Sequence, residues 1–448
     1  MRFPKRAIFQ AGIMVTLAVV VTLFVGWTSD NIPQAQAYHN KEEMMKYRAG
    51  GGLPGGQNTW FMGSGHCEGC HGHDFNGYAN ISEDGVDINL VDDWRSSMMA
   101  NSARDPFWRA KVSHEIQVNP AHQVQLEDKC TSCHAPQGRF DKYLTGMGPY
   151  TIAEMAMDPV ALDGVSCLVC HRQSADSIGL FHSGNMKFDT MLVAWGPYDD
   201  NIFGAPMISF VGFEPLYGAH INDAGLCSGC HTLITETVDL SGNLTGDHFV
   251  EQATYHEWLN SSFNDEAFPL TGISCQGCHI PRIEDSVVIS NNYLFLTGRS
   301  PYGLHQLAGG NVFMLTMLRD HRTALGLTAN ETQFDSTIAR TMRNLQQHSV
   351  LLDLDVAWRD ADTAWIDVRL TNLTGHKFPS GYPSRRAWVE LVVVDNSGDT
   401  LFKSGRWNSA YEVEGHDANW EPHYDMINDP GQAQIYEMVM SDVNGNKT

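Results

Sequence analysis

The ten cysteines of this 448-residue chain all belong to one repeated motif, and this repeat constrains the fold more than any other feature of the sequence. The pattern C-x-x-C-H occurs five times, so no cysteine remains for a structural disulfide. Histidine accounts for 20 of the 448 residues, and the chance that it follows all five cysteine pairs at random is on the order of 10⁻⁷. We number the motifs 1 to 5 along the chain. Their cysteines and histidines are Cys67, Cys70 and His71; Cys130, Cys133 and His134; Cys167, Cys170 and His171; Cys227, Cys230 and His231; and Cys275, Cys278 and His279.

The spacing within each motif suits covalent attachment of haem c. Two thiols three positions apart can each add to one vinyl group of a haem, and the imidazole that follows can bind the iron. Zinc ribbons and thioredoxin-type dithiols also use C-x-x-C pairs, but neither of these alternatives requires the histidine. The sequence therefore predicts five covalently bound haems, each with its iron bound by a motif histidine.

With these motifs the chain resembles the multihaem c-type cytochromes, over roughly residues 67–279. A second stretch, TGHKFPSGYPSRRAW from Thr374 to Trp388, resembles a motif of extracytoplasmic multihaem cytochromes in which the histidine is a haem ligand. The resemblance implies an extracytoplasmic pentahaem cytochrome c in which the haems form much of the core, and it implies that His376 binds an iron. It also implies redox partners, such as other cytochromes, quinol-oxidising membrane complexes or further copies of the chain in a haem wire.

The N-terminus has the features of a secretory signal. Arg2, Lys5 and Arg6 precede an apolar run over residues 11–27, and a small-residue site at 35–37 would permit cleavage before Tyr38. We therefore predict a signal peptide over residues 1–37. An uncleaved anchor that associates with the membrane is the alternative, but the apolar run is at the lower limit of the length that spans a bilayer, which favours cleavage. Both interpretations place the chain in the periplasm, in the secreted fraction or at the cell surface.

The net charge excludes one class of partner. It is −23 for the full chain, and loss of residues 1–37 removes three cations and one anion, which gives −25. So acidic a chain is not suited to nucleic acid. The charge alone selects no particular redox partner.

We expect a multidomain chain, because the sequence pattern changes from helical to strand-like at about residue 348. Residues 38–310 predict an irregular, mostly α cytochrome domain, with short helices from Asp92 and from Asp105, whose side chain caps the second helix ahead of Pro106. Residues 311–347 predict a helical pair, the second helix opened by a capping box of Thr328 and Glu331. Residues 348–448 alternate with period two and predict an antiparallel β-sandwich-like domain, with a hairpin turn near 396–398. The sequence ends just after an Asn-Gly turn signal at 444–445, which favours a truncated domain.

The sixth ligand of each iron decides between carrier and enzyme, because a saturated haem passes electrons and an open one can bind a substrate. Fifteen histidines remain besides those in the motifs. His376 is a candidate because Pro379 and Pro383 stiffen its loop, which lowers the cost of ordering a ligand. His220 precedes motif 4 in a glycine-flanked loop, and His305 is likewise flanked by glycines. His114 lies on the helix after Pro106. Weaker candidates are His122, Met98 and Met99, the two methionines being better explained as core residues.

The predicted function is electron transfer in an extracytoplasmic respiratory chain, with no catalytic residue. Every motif ends in histidine, and the other histidines are numerous enough to supply the sixth ligand of all five irons, which favours a carrier. One alternative is a multihaem reductase of a nitrogen or sulfur oxyanion with one open haem. Another is a subunit of an extracellular cytochrome filament or of an outer-surface electron conduit.

Overall fold

A computed structural model describes residues 52–239, 241–417, 420–441, 444 and 446. The predicted signal peptide and the final turn signal at 444–445 therefore lie wholly or partly outside the described residues. Within the described part of the chain, no helix is both long enough and apolar enough to cross a membrane.

Helices are short and are concentrated before residue 349. The α-helices are α1 (Gly65–His71), α2 (Leu90–Arg95), α3 (Pro106–Val118), α4 (Gln123–His134), α5 (Pro136–Leu144), α6 (Ile152–Met157), α7 (Cys167–His171), α8 (Ala205–Phe210), α9 (Ser228–His231), α10 (Thr254–Leu259), α11 (Cys275–His279), α12 (Val312–Asp320), α13 (Arg322–Leu325) and α14 (Glu331–Arg343). Single 3₁₀ turns lie at Pro120–His122, Ala161–Asp163, Ala175–Ser177, Ala219–Asn222 and Ala224–Cys227, and a π-helical turn at Asn344–Ser349 follows α14.

The strands form small two-stranded sheets. They are β1 (Val193–Gly196), β2 (Glu214–Tyr217), β3 (Leu233–Val238), β4 (Leu244–Gln252), β5 (Arg282–Ile283), β6 (Tyr302–Gly303), β7 (Val350–Arg359), β8 (Ala364–Asn372), β9 (Arg386–Trp388), β10 (Leu391–Val394), β11 (Thr400–Ser404) and β12 (Ile435–Glu437). The pair β1–β2 is parallel, and the pairs β3–β4, β5–β6, β7–β8, β9–β12 and β10–β11 are antiparallel. The chain is thus a mixture of helices and small, mainly antiparallel sheets.

Helix starts follow local capping chemistry, in part as the sequence predicts. The Asp105 side chain accepts hydrogen bonds from the N–H groups of Phe107 and Trp108, with Pro106 in the first turn, which confirms the predicted cap of α3. The helix expected from Asp92 begins two residues earlier, because Asn89 caps it, and it ends at Arg95.

The predicted capping box of Thr328 and Glu331 is wrong. Helix α14 is capped two residues later, where the Asn330 side chain accepts from the Gln333 N–H and the Gln333 side chain accepts from the Asn330 N–H. An asparagine at the N-cap and a glutamine three positions later satisfy the same two backbone N–H donors as a threonine and a glutamate would.

The C-terminal strands lie where alternation predicts them, and the hairpin turn between β10 and β11 is confirmed, with Gly398 at φ +88°. In the ribbon β7–β8, Leu352 pairs with Leu370 and Leu354 with Val368, so one face is apolar, and Leu354 is 60% exposed there. Among the described residues these strands form three separate two-stranded sheets. The β-sandwich-like arrangement therefore stays a prediction.

The apolar core consists of several small clusters around the motif helices. Leu168 and Val169, the two residues between the cysteines of motif 3, are buried in the largest cluster together with Phe61 and Phe140. A further cluster joins Leu315 and Leu318 of α12 to Phe334 of α14. The position of α14 relative to α2 is fixed by a polar layer, because Asp93 and Arg340 form an ion pair of 2.6 Å whose side chains are 1% and 3% exposed.

We predict that Asp93→Ala destabilises the protein by about 3–5 kcal/mol, because it leaves the buried Arg340 guanidinium without its carboxylate. The shift in the midpoint of urea unfolding measures this cost. The matched control is Asp335→Ala on the outer side of α14, which breaks an exposed pair of 2.7 Å with Arg319 and should cost less than about 1 kcal/mol. Equal shifts for the two variants would contradict the assigned role of the buried pair.

Candidate haem-binding site

The five C-x-x-C-H motifs fold as single helical turns. Motifs 1 and 2 end α1 and α4, motifs 3 and 5 form all of α7 and α11, and motif 4 runs from the last residue of a 3₁₀ turn, Cys227, through α9. A helical turn brings residues three and four apart to the same face, so the two thiols of a motif and the following imidazole emerge side by side. All ten thiols are free of disulfides. Each motif therefore presents two unpaired sulfur nucleophiles and one nitrogen donor.

Hydrogen bonds fix the orientation of four of the motif histidines. The Nδ1 atoms of these histidines lie at 2.5 to 3.3 Å from backbone carbonyl oxygens, and because a carbonyl only accepts, each Nδ1 carries the hydrogen. The pairs are His71 with Ile289, His134 with Ser102, His171 with Trp195, and His279 with Ala308. This tautomer leaves the Nε2 lone pair available to a metal, which is the usual arrangement of metal-binding histidines.

The surroundings also keep these rings neutral. Burial lowers the pKa of His134 to about 4, and it lowers the pKa of His71, His171 and His279 as well. A neutral imidazole is the form that binds a metal, so near pH 7 none of these rings must first lose a proton.

Two of the predicted distal histidines face motif histidines. The ring centroids of His171 and His305 are 6.4 Å apart with planes 13° from parallel, and those of His279 and His376 are 6.5 Å apart with planes 15° from parallel. The Nδ1 of His305 donates to the Gly303 carbonyl at 3.0 Å. The Nδ1 of His376 donates to the Lys377 carbonyl at 2.8 Å. In both pairs the unprotonated nitrogen is therefore Nε2 on each ring.

This separation matches what one iron between two imidazoles requires. Two nitrogens at about 2 Å on opposite sides of an iron place the ring centroids about 6.3 Å apart. Rings in direct contact lie closer, as Trp108 and His134 do with centroids 4.4 Å apart. Together with the paired thiols, the donor set at motifs 3 and 5 fits covalently attached haem with two axial histidines.

Contacts between cysteines place the motifs next to one another. Thiols of different motifs lie close together in three pairs, in which each thiol shifts the pKa of the other, and these pairs join motif 1 to 3, motif 2 to 4 and motif 4 to 5. These pairs are Cys67 with Cys167, Cys133 with Cys230, and Cys227 with Cys275. Cys170 of motif 3 also lies close enough to Cys227 and Cys230 of motif 4 to interact electrostatically. All five motifs thus form one connected series, 1–3–4–5, with motif 2 joined at motif 4.

One short segment serves two motifs at once. The Leu307 N–H donates to the His279 carbonyl at 2.9 Å, and the Ala308 carbonyl accepts from Nδ1 of the same histidine. Two residues before Leu307, His305 faces His171 of motif 3. The segment therefore orients the imidazole of motif 5 while it presents a second imidazole to motif 3.

The other predicted ligands have different surroundings. The Nε2 of His220 bonds the Gln173 carbonyl at 3.1 Å, and the Nε2 of His122 bonds the Gly242 carbonyl at 2.9 Å. His114 is exposed on α3, whose buried residues are Trp108 and Val112 rather than the face that the helical spacing favours. Met98 and Met99 pack against core clusters. All five residues stay predictions as ligands. Among the described residues, none of them faces the imidazole of a motif as His305 and His376 do.

Several residues of the site carry no recognisable signal in the sequence. Trp108 stacks on His134 with planes 5° from parallel and fixes that ring from one side. Arg172, which follows motif 3, is fully buried and donates to the carbonyls of Trp60, Asp189 and Met191. Contacts made through backbone carbonyls depend on the fold and not on the residue type, so no sequence pattern could have identified them.

Comparisons with known proteins add no relative. No protein family, no curated protein and no solved structure matches the chain. Among the described residues no group of three or more His, Cys, Asp or Glu side chains is arranged to hold a metal ion by itself. The site is thus defined by its thiol pairs and its facing imidazoles.

Motifs 1 and 3 are linked by a buried carboxylate with an unusual pKa. Asp163 accepts hydrogen bonds from the N–H and the hydroxyl of Ser64, just before motif 1, at 2.7 and 2.9 Å. It also lies close enough to Cys67 of motif 1 and Cys167 of motif 3 for its negative charge to favour a higher pKa at both thiols. Burial is the largest influence, and it raises the pKa of Asp163 from the ordinary 3.8 to about 6.

We predict that this carboxylate makes the protein less stable as pH rises from about 4 to about 6. The folded state holds the Asp163 proton more tightly than the unfolded state, so stability is lost over that window, by about 3 kcal/mol in total. The test compares urea unfolding of the wild type and of Asp163→Asn at several pH values. The free energy of unfolding of the wild type minus that of the variant should decrease as pH rises through this window. A difference that does not change with pH would contradict the assignment.

Proposed function

We propose that this chain is a multihaem c-type cytochrome that carries electrons between extracytoplasmic redox partners. The observation that carries the proposal is the two pairs of facing histidines, His171 with His305 and His279 with His376, each of which includes the histidine of a C-x-x-C-H motif. Two axial histidines saturate an iron, and a saturated haem exchanges electrons without binding a substrate. Bound haem supplies one-electron transfer, and the chain supplies its attachment, axial ligands and surroundings.

The connected series of motifs supports conduction through the protein. Electron transfer between haems requires that they lie close together, and the cysteine contacts join every motif to at least one other. Motif 4 contacts motifs 2, 3 and 5, so it has the central position in the series. Motifs 1 and 5 lie at its two ends, which suits entry of electrons at one side and exit at another.

The setting proposed for this activity is extracytoplasmic, in the periplasm or at the cell surface. Covalent haem attachment and the N-terminal signal pattern both support it. Partners would be other redox proteins or a second copy of the chain. A β-sandwich-like domain after residue 348, which lends His376 to motif 5, is part of the proposal, and the apolar face of the ribbon β7–β8 supports it, because a lone two-stranded ribbon is marginally stable.

The haem content of the protein tests the proposal directly. Expressed with a haem c maturation system, the chain should carry five haems, one for each motif, because every thiol pair is free. Intact mass spectrometry and the pyridine haemochrome spectrum measure this number. A chain that instead binds zinc through its thiols and incorporates no haem would refute the proposal.

The spin states of the haems test the two proposed axial ligands. His305→Ala and His376→Ala should each convert one of the five haems from low-spin to high-spin, because each removes one axial nitrogen. EPR and magnetic circular dichroism count the two spin states. The control is His248→Ala, an exposed histidine of β4, which should leave the spectrum unchanged. A wild-type protein with a high-spin haem that binds nitrite or sulfite would favour the reductase instead.

A further inference from the structure

The loop that carries His376 is held by a carboxylate of a helix outside the β-rich region. We call residues 374–380 the ligand loop. One carboxylate oxygen of Glu257, on α10, accepts from the backbone N–H of Lys377 at 3.0 Å and from the hydroxyl of Ser380 at 2.7 Å. Glu257 is half-buried. It thus holds two points of the ligand loop three residues apart.

The first turn of the same helix adds a third polar contact. The Oγ atoms of Thr254 and Ser380 are 3.0 Å apart. The Ser380 hydroxyl hydrogen is already donated to Glu257, so the Thr254 hydroxyl is the donor of this bond. The end of the ligand loop is therefore tied to α10 by a short chain of hydrogen bonds.

The start of the ligand loop packs on apolar residues from the same part of the chain. A Cβ atom on Gly375 would lie 3.0 Å from Cδ1 of Trp258 and 3.3 Å from Cβ of Phe263. This position has little room for a side chain, so the glycine is explained by close approach. Contacts at both ends of the loop thus involve residues 254–263, the segment between motifs 4 and 5.

The contact of Glu257 with Lys377 bears directly on the His376 ring. Lys377 donates its N–H to Glu257, and its carbonyl accepts the Nδ1–H of His376. The carbonyl of His376 itself accepts from the Thr374 hydroxyl and the Asn372 amide, both at 2.7 Å. The backbone around the ring is fixed from both sides, and Glu257 provides a carboxylate contact from outside the loop.

We propose that Glu257 is a positioning residue that keeps His376 opposite His279. The inference rests on the proposed function, in which these two rings bind the iron of motif 5. A side-chain oxygen that accepts hydrogen bonds from both Lys377 and Ser380 restrains the ligand loop at two points. Without it the ligand loop is held by its apolar start, by the bond between Thr254 and Ser380 and by its internal bonds, and the His376 ring leaves its position opposite His279 more often.

The experiment measures ligand exchange in the haem-loaded protein. Glu257→Ala, Glu257→Gln, His376→Ala and the control Glu266→Ala are compared for spin state by EPR and for the rate of imidazole binding. Glu266 is exposed and lies in the same stretch of chain, and its replacement by alanine removes the same negative charge as Glu257→Ala. We expect Glu257→Ala to increase the rate of imidazole binding at one haem at least tenfold, with the other haems unchanged. Glu257→Gln should largely restore the wild-type rate, because its amide oxygen still accepts.

The variants separate failure of this inference from failure of the proposed function. If His376→Ala leaves every haem low-spin, the pairing of His376 with motif 5 is wrong. If His376→Ala changes one haem but Glu257→Ala behaves like Glu266→Ala, the positioning role of Glu257 is overturned. Should Glu257→Ala not fold, Ser380→Ala removes one of the two bonds, and a rate equal to that of the wild type would overturn the inference equally.

Discussion

The position of one hydrogen atom on each histidine determines what the rings of this protein can bind. Where Nδ1 donates to a carbonyl oxygen, only Nε2 remains as an electron-pair donor, and its direction is fixed by the backbone that provides the carbonyl. Among the residues that the structure describes, six histidines satisfy this condition, four in the motifs and the two that face them, His305 and His376. The irregular connections between the short helices thus have a physical role, because they supply the carbonyls at Ser102, Ile289 and Ala308, while strand β1 supplies the one at Trp195.

The sequence predicts the local chemistry of the site well. The motif spacing specifies two thiols and an imidazole on one helical turn, because this depends only on helix geometry. Glycines around His305 and prolines after His376 distinguish these two histidines from most of the others, since both features restrict or open the backbone locally. His220 has similar glycines, yet its Nε2 bonds a carbonyl, so local sequence does not determine which partner a ring meets.

Long-range pairing could not be predicted from the sequence. His305 faces motif 3 and His376 faces motif 5, and each pairing depends on how distant segments fold around the motif helices. The same holds for elements. Strand positions after residue 348 follow from alternation, whereas the arrangement of the ribbons depends on contacts between them. The start of α14 was misplaced by two residues because Thr328 and Asn330 are both good caps and only tertiary packing selects between them.

The segment around Leu307, which contacts the histidine of motif 5 and presents His305 to motif 3, has a consequence for biogenesis. Both facing histidines follow all five motifs in the chain, so if the chain is exported as proposed, every motif would emerge before either of them. On the proposed function, thiols and motif histidines would meet the maturation machinery while the second axial positions at motifs 3 and 5 have no partner from this chain. Closure of those positions would then be the last step of maturation, and it would distinguish finished molecules from incomplete ones.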